Sequence, residues 1–129
     1  MSQPVIDRAA PRLRVRDVRA AAEWYRDNLN FAVGGYYTSD TGVPDFVVVQ
    51  QGSVEIQLTL KPEGEDIGAG PAANPGGVYL YVGDAAGLYD ELKKRGVPLL
   101  YQLEDFSYGM REFALLDRDG HYVGIGQPI

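Results

Sequence analysis

The sequence contains no cysteine and a single histidine in 129 residues. The absence of cysteine excludes a disulfide framework, a thiolate metal site and a cysteine nucleophile. The single histidine, His121, lies in a predicted turn, where it is poorly placed to be the base of a Ser-His-Asp arrangement. A carboxylate such as Glu55 or Glu112 could transfer a proton alone, but the sequence does not single one out. We therefore predict no catalytic residue.

The chain also lacks a large basic cluster, and its formal net charge is −6. Its longest basic run, residues 93–95, lies at the end of a predicted helix, where cations complement the helix dipole. Too few cations are clustered to bind a phosphate backbone or an anionic membrane. The phosphate-loop spacing, a membrane-length apolar run and an apolar leader are also missing. We expect a cytoplasmic protein with neither a nucleic-acid nor a membrane partner.

Hydrophobic periodicity predicts two copies of one β-α-β-β-β unit in a single domain. Asp17 and Asp84, which lie 67 positions apart, are good N-caps for the two helices. The first unit has strands at Ala10–Val15, Ala32–Thr38, Phe46–Gln50 and Val54–Leu60. The second has strands at Gly77–Val82, Leu99–Leu103, Met110–Leu116 and His121–Gln127, with its helix ending at Gly96. The last two strands are predicted to meet in a two-residue hairpin turn at Asp119-Gly120.

Segments without a clear period flank these units. Residues 1–9 are predicted to be a loose arm, and the Gly- and Pro-containing residues 61–76 a linker or lid. We assign residues 10–60 to the first module and 77–127 to the second. Because each module would cover only one sheet face with its helix, two modules are expected to pair. The fold class is therefore predicted to be α+β.

The chain resembles the vicinal-oxygen-chelate superfamily, which includes glyoxalases, extradiol dioxygenases and bleomycin-resistance proteins. The matching segments are Val15-Arg16-Asp17, Trp24-Tyr25, Leu29-Asn30-Phe31 and the hairpin from Asp117 to Gly126. This resemblance implies two βαβββ modules with paired curved mixed sheets, helices outside and a concave cavity inside. It also implies a homodimer with the ligand groove between subunits.

Metal-using members of that family carry four ligands on the concave strands. The resemblance maps these ligand positions onto Ala10, Gln57, Gly77 and Gly124. Only Gln57 has a donor atom, whereas a divalent metal site needs several. We therefore predict no metal and no cofactor. Glu104, Asp105 and Glu112, whose orientation the pattern leaves open, keep a metal-dependent alternative possible.

Alternation along the strands places polar and aromatic side chains on the face opposite the aliphatic one. The predicted ligand-binding residues are Arg14, Tyr37, Phe46, Gln57, Tyr79, Tyr81, Tyr101, Phe106, Tyr108, Met110 and Tyr122. Tyrosine and phenylalanine give flat apolar walls that suit planar ligands. The loop at residues 104–109 is a candidate ligand wall or an ordinary strand connection. Arg12 and Arg14 could instead pair with Glu55 or Glu112.

The resemblance is greatest to the bleomycin-resistance branch, because the metal-ligand positions are lost. It implies metal-independent sequestration of a small aromatic or heteroaromatic molecule, such as an antibiotic. The alternative is a glyoxalase- or dioxygenase-like enzyme of the same superfamily. A third hypothesis is a dimerisation module whose tyrosines fill a subunit interface.

Overall fold

The computed structural model describes residues 5–68 and 76–129. Over these ranges the chain forms two helices and nine strands in two mixed sheets, which confirms the predicted α+β class. Neither described helix is long and apolar enough to cross a membrane. The elements of the first unit are β1 (Arg12–Val15), α1 (Val18–Leu29), β2 (Ala32–Val33), β3 (Tyr37–Thr38), β4 (Pro44–Gln51) and β5 (Val54–Leu60). Those of the second are β6 (Gly77–Tyr81), α2 (Ala85–Lys94), β7 (Leu99–Phe106), β8 (Met110–Leu116) and β9 (Tyr122–Pro128).

The two sheets share one topology. The first has the order β1-β5-β4-β2, with β3 also pairing to β4, and the second has the order β6-β9-β8-β7. In each sheet the first strand of the unit runs parallel to the last, and the other pairs are antiparallel. The sequence repeat therefore corresponds to a repeated sheet arrangement.

Helix boundaries agree with the predicted capping residues. The Asp17 carboxylate accepts a hydrogen bond from the Ala20 amide at 3.0 Å, and Asp84 accepts one from the Gly87 amide at 3.0 Å. Asn30 ends α1 in the left-handed region at φ 59°, which asparagine tolerates better than most residues. Gly96 follows α2 at φ 74°.

Several strand boundaries differ from the prediction, and three of the differences affect how the strands are arranged. The predicted strand Ala32–Thr38 is divided into β2 and β3, because the two pair with β4 in registers that differ by one residue: Val33 lies opposite Val49, whereas Tyr37 lies opposite Phe46. The first strand begins at Arg12 and not at Ala10, since Pro11 has no amide hydrogen to donate. β7 continues to Phe106, so half of the loop predicted at residues 104–109 is strand.

Parts of two predicted segments fall outside the described residues. These are residues 1–4 of the arm and residues 69–75 of the linker. Residues 61–68 form neither helix nor strand, and Ile67 within them is buried.

The aliphatic faces of both sheets pack around the helices in one hydrophobic cluster, as the alternation predicted. The buried side chains are Leu13, Val15, Val47, Val49, Ile56 and Leu58 from the first sheet and Phe113, Leu115, Val123 and Ile125 from the second. The predicted α1 stripe of Val18, Ala21, Ala22, Tyr25 and Leu29 is also buried. The opposite face of each sheet, which we call its free face, carries polar and aromatic side chains.

The β8–β9 connection spans residues 117–121. Within it, a hydrogen bond between Asp117 and His121 encloses a loop of three residues, in place of the predicted two-residue turn. The Asp117 amide donates to the His121 carbonyl at 3.1 Å, and Gly120 takes φ 83° between them. The Asp117 side chain accepts the amide hydrogens of Asp119 and His121, both at 2.9 Å. These hydrogen bonds to the Asp117 carboxylate stabilise a loop that is one residue longer than the predicted turn. The sequence pattern did not indicate this extra residue.

The same carboxylate connects the loop to the first helix. Tyr25 donates its hydroxyl to Asp117 at 2.7 Å, and His121 Nδ1 lies 2.9 Å from it. His121 lies in the β8–β9 connection, as predicted, but it is only 2% exposed, which its position at a turn did not indicate. Burial acts to raise the pKa of the Asp117 carboxyl, but its contacts with His121 and Tyr25 outweigh burial and lower that pKa.

We expect Tyr25→Phe to lower the free energy of unfolding by about 1–3 kcal/mol, because a buried carboxylate loses one of its donors. Urea denaturation at neutral pH measures this loss. Tyr89→Phe is the matched control, since the Tyr89 hydroxyl has no hydrogen-bond partner within the described ranges. Equal stability of the two variants would contradict a structural role for the Tyr25–Asp117 contact.

Candidate functional site

A buried carboxylate lies at the centre of the free face of the second sheet. Glu112 is on β8, is 4% exposed and lies opposite Gly126 of β9. Its neighbours in sequence, Phe113 and Leu115, belong to the hydrophobic core, so alternation directs Glu112 to the other face. The sequence contained this signal, although the prediction left the orientation of Glu112 open.

Tyrosine hydroxyls surround this carboxylate. Tyr79 donates to Oε1 at 2.7 Å, and Tyr108 donates to Oε2 at 2.9 Å. Tyr101 donates to Oε2 as well, and its oxygen lies 2.8 Å from the Tyr122 hydroxyl. Because Tyr101 uses its only proton on Glu112, Tyr122 must donate to Tyr101. We call Glu112 and these four tyrosines the Glu112 cluster.

The hydrogen bonds set the ionisation of the cluster. Burial acts to raise the pKa of Glu112, but donation from Tyr101, Tyr79 and Tyr108 outweighs it and lowers that pKa below the usual glutamate range. Burial and the bond to Glu112 raise the pKa of Tyr108 to about 12. The pKa values of Tyr79 and Tyr101 are raised for the same reasons. At neutral pH the cluster therefore holds one carboxylate and neutral phenols.

Glycines in β9 make room for the rings. A Cβ on Gly126 would lie 1.9 Å from the Tyr79 hydroxyl oxygen, and one on Gly124 would lie 2.4 Å from the Tyr122 hydroxyl oxygen. The Tyr122-Val123-Gly124-Ile125-Gly126 pattern therefore places aliphatic side chains on the core face and a bare backbone under the tyrosines.

Irregularities in β7 direct Tyr101 toward the cluster. Leu99 pairs with Leu115 and Tyr101 pairs with Ala114, so one extra residue of β7 lies between these pairs. Leu99 packs against the core, whereas Tyr101 reaches Glu112 on the opposite face. A regular strand would place both residues on one face, and bulges are known to redirect side chains in this way.

A cavity of about 820 Å³ lies beside the cluster. It is lined by Tyr89, Lys93, Leu99, Leu100, Tyr101, Gln102, Glu104, Phe106, Tyr108 and Glu112. Phe106 and Tyr108 stack with ring centroids 5.4 Å apart, and Tyr101 meets Phe106 edge-on at 5.9 Å. The cavity wall is thus aromatic, and every lining residue belongs to the second unit.

The other predicted site residues are distributed differently. Met110 lies beside Tyr79 over Gly126, and Tyr81 is 74% exposed with its ring against that of Tyr79. Tyr37, on β3 of the first sheet, is 65% exposed. These three residues stay predicted ligand contacts.

The remaining predicted residues lie on the free face of the first sheet. Arg12 Nε donates to Gln57 Oε1 at 2.9 Å, and its guanidinium carbon lies 5.6 Å from the Phe46 ring centroid. Arg14 forms an ion pair with Glu65, a partner that the sequence analysis did not consider. The alternatives considered for Arg14 were Glu55 and Glu112, but Glu55 pairs with Arg8.

The four positions that resemblance assigned to metal ligands do not fit a metal. Ala10, Gly77 and Gly124 offer no side-chain donor, and Gln57 Oε1 already accepts from Arg12. A Cβ on Gly77 would lie 2.2 Å from the Tyr122 carbonyl oxygen, and the space above Gly124 is filled by Tyr122 and Tyr79. Within residues 5–68 and 76–129, His, Asp and Glu side chains form no group of three that could hold a metal ion.

Comparison with known proteins places this geometry in a family. The model of the glyoxalase/bleomycin resistance protein/dioxygenase superfamily matches residues 5–125. The chain therefore belongs to this superfamily, as the resemblance indicated. No curated protein matches the sequence significantly.

Solved structures support the same fold. A bleomycin-binding protein solved in complex with bleomycin is 24% identical, with 96% of this chain and 100% of that chain covered and a TM-score of 0.72. A glyoxalase-related enzyme from Clostridium phytofermentans is 18% identical, with 98% of each chain covered and a TM-score of 0.78. A lactoylglutathione lyase from Agrobacterium tumefaciens is 16% identical, with 97% of this chain and 96% of that chain covered and a TM-score of 0.69. At these identities the likeness shows the fold, and the relatives include both a binding protein and enzymes.

We expect Glu112→Gln to shift tyrosine ionisation to lower pH, because the neutral amide removes the charge that opposes tyrosinate formation. In the native protein the pKa values of Tyr79, Tyr101 and Tyr108 lie above the usual tyrosine value, so these residues should ionise late in an alkaline titration. Tyrosinate absorbance in the ultraviolet follows the titration. Glu55→Gln, which changes a carboxylate of the first sheet, should leave the curve unchanged. Identical curves for Glu112→Gln and the native protein would contradict this charge arrangement.

We expect Gly126→Ala to destabilise the protein by roughly 1–3 kcal/mol, since the new methyl group overlaps Tyr79 and forces it to move. Displacing Tyr79 should also break its hydrogen bond to Glu112. Urea denaturation measures the first effect and the alkaline titration the second. The control is Gly83→Ala, because a Cβ at Gly83 meets no atom within 4 Å. A Gly126→Ala protein as stable as this control would refute the proposed close packing.

Proposed function

We propose that the protein binds a small aromatic or heteroaromatic molecule without a metal, as the bleomycin-resistance branch of its superfamily does. The observation that supports this most is the Glu112 cluster beside an aromatic cavity of about 820 Å³. Ligand sites of this size are usually apolar pockets with a few fixed polar groups.

The aromatic wall suits a planar ligand. Phe106 and Tyr108 present stacked rings, and Tyr101 meets them at an angle, so a flat molecule could add to the stack. The hydrogen bonds to Glu112 hold the rings of Tyr101 and Tyr108 in place before a ligand arrives. A preformed wall reduces the entropy that binding must overcome.

The state of Glu112 favours binding over acid–base chemistry. A general base works best when its pKa lies near the operating pH. The tyrosines instead lower the pKa of Glu112 below its usual range, which makes it a weak proton acceptor. The enzyme alternative needs either a stronger base or a metal, and the residues at the family's ligand positions do not fit a metal.

We extend the proposal to a homodimer, which the family resemblance implies. The polar groups of the first sheet, Arg12 and Gln57, bond to one another, and the Glu112 cluster bonds within the second sheet. Among the residues that the structure describes, those lining the cavity beside Glu112 all belong to the second unit. A second copy could place its first sheet over this open side and complete the groove.

Calorimetry with bleomycin and with a panel of planar aromatic molecules, in the presence of a chelator, tests this function. We expect saturable binding that the chelator leaves unchanged, with the ligand recovered chemically intact. Phe106→Ala should weaken binding about tenfold, since a stacking contact is worth roughly 1–3 kcal/mol. Val43→Ala, at an exposed turn of the first unit, is the control. Chemical conversion of the ligand, or binding that requires an added divalent metal, would support the enzyme alternative.

A further inference from the structure

We infer that the Glu112 cluster selects a cationic group, so that the ligand is a planar aromatic cation or an aromatic molecule bearing an ammonium or guanidinium. This inference rests on the proposed function and specifies its ligand class. Three features of the cluster support it independently: the direction of its protons, the faces of its rings and the balance of charge around the cavity.

The direction of the hydroxyl protons leaves the cluster without a donor to offer. Tyr79 and Tyr108 donate their hydroxyl protons to Glu112, and Tyr122 donates its hydroxyl proton to Tyr101. Each phenol has one proton, so the oxygens of these tyrosines present only lone pairs to an incoming molecule. A surface made of acceptors alone bonds to ligands that donate, and a protonated nitrogen is the strongest such donor.

The rings add a second attraction for positive charge. The face of an aromatic ring carries partial negative charge and attracts a cation that lies within about 6 Å of its centroid. Phe106, Tyr108 and Tyr101 present such rings beside the carboxylate. Aromatic side chains around one carboxylate are the combination that binds organic ammonium groups.

The net charge of the side chains around the cavity is negative, which also favours a cationic ligand. Glu104 pairs with Glu112 across β7 and β8, and both line the cavity. Lys93 is the one cation among the lining residues, and its Nζ lies 5.3 Å from the Tyr89 ring centroid. The net negative charge would repel an anionic ligand, and the whole chain, with a formal net charge of −6, adds to this field.

The test compares three probes with the same three-ring scaffold and different charge. These are anthracenemethylammonium, anthracenemethanol and anthracenecarboxylate, which are cationic, neutral and anionic at neutral pH. Fluorescence titration of the purified protein should show the cation binding at least about tenfold more tightly than the neutral probe, with the anion weakest. The preference for the cation should fall as salt is added, because salt screens charge.

Glu112→Gln should abolish the preference, so that the cationic and neutral probes bind equally, because the charge is gone while any loss of ring positioning weakens both probes alike. Glu112→Asp keeps the charge and should retain the preference. Glu63→Gln removes the same charge from an exposed loop and should change nothing. If Glu112→Gln fails to fold, the native preference, its salt dependence and the Glu112→Asp result still decide the question.

Two outcomes would overturn the inference, and they differ in what they say of the function. Equal affinity for all three probes, or tighter binding of the anion, would refute cation selection while leaving aromatic binding intact. Failure of every probe to bind, together with failure of bleomycin, would refute both.

Discussion

The buried carboxylate of Asp117 connects the two halves of the molecule. It accepts hydrogen bonds from its own loop, from His121 and from Tyr25 on α1, so the β8–β9 hairpin and the first helix share one acceptor. The neighbouring Asp119 accepts the Arg16 amide at 2.9 Å, just after β1. Because a buried carboxylate is costly without donors, these contacts constrain how the first unit lies against the second.

A second buried carboxylate is stabilised by hydrogen-bond donors in the same way on the free face of the second sheet. Glu112 is also a buried carboxylate surrounded by donors, but its donors are tyrosine hydroxyls whose rings border a cavity. The charge therefore has two effects, since it fixes the rings and gives the cavity a negative centre. Asp117 and Glu112 differ mainly in their surroundings. The donors to Asp117 lie in the buried core, whereas the rings that donate to Glu112 border a cavity.

Much of the fold could be predicted from local signals. The caps at Asp17 and Asp84, the α1 stripe and the alternation of the strands all agree with the structure. The errors occurred where a side-chain hydrogen bond or the pairing with a neighbouring strand decides the local shape. The register to β4 shifts by one residue between Val33 and Tyr37, Asp117 lengthens a turn through its own side chain, and the bulges of β7 have no sequence signature. The site was harder to predict, since the aromatic residues were named but the orientation of their common acceptor, Glu112, was left open.

The tyrosine cluster occupies the space above one of the positions that the family resemblance assigns to a metal ligand, Gly124. At Gly124 the missing side chain leaves space that Tyr122 and Tyr79 occupy, and the ring of Tyr79 also covers Gly126. A histidine or glutamate at Gly124 would have to displace those rings and break the hydrogen bonds that hold Glu112 ionised. Metal coordination and the aromatic cluster therefore exclude each other on this face, because both need the same volume above β9. A chain that keeps the tyrosines in this arrangement therefore leaves no room for a metal-ligand side chain at Gly124.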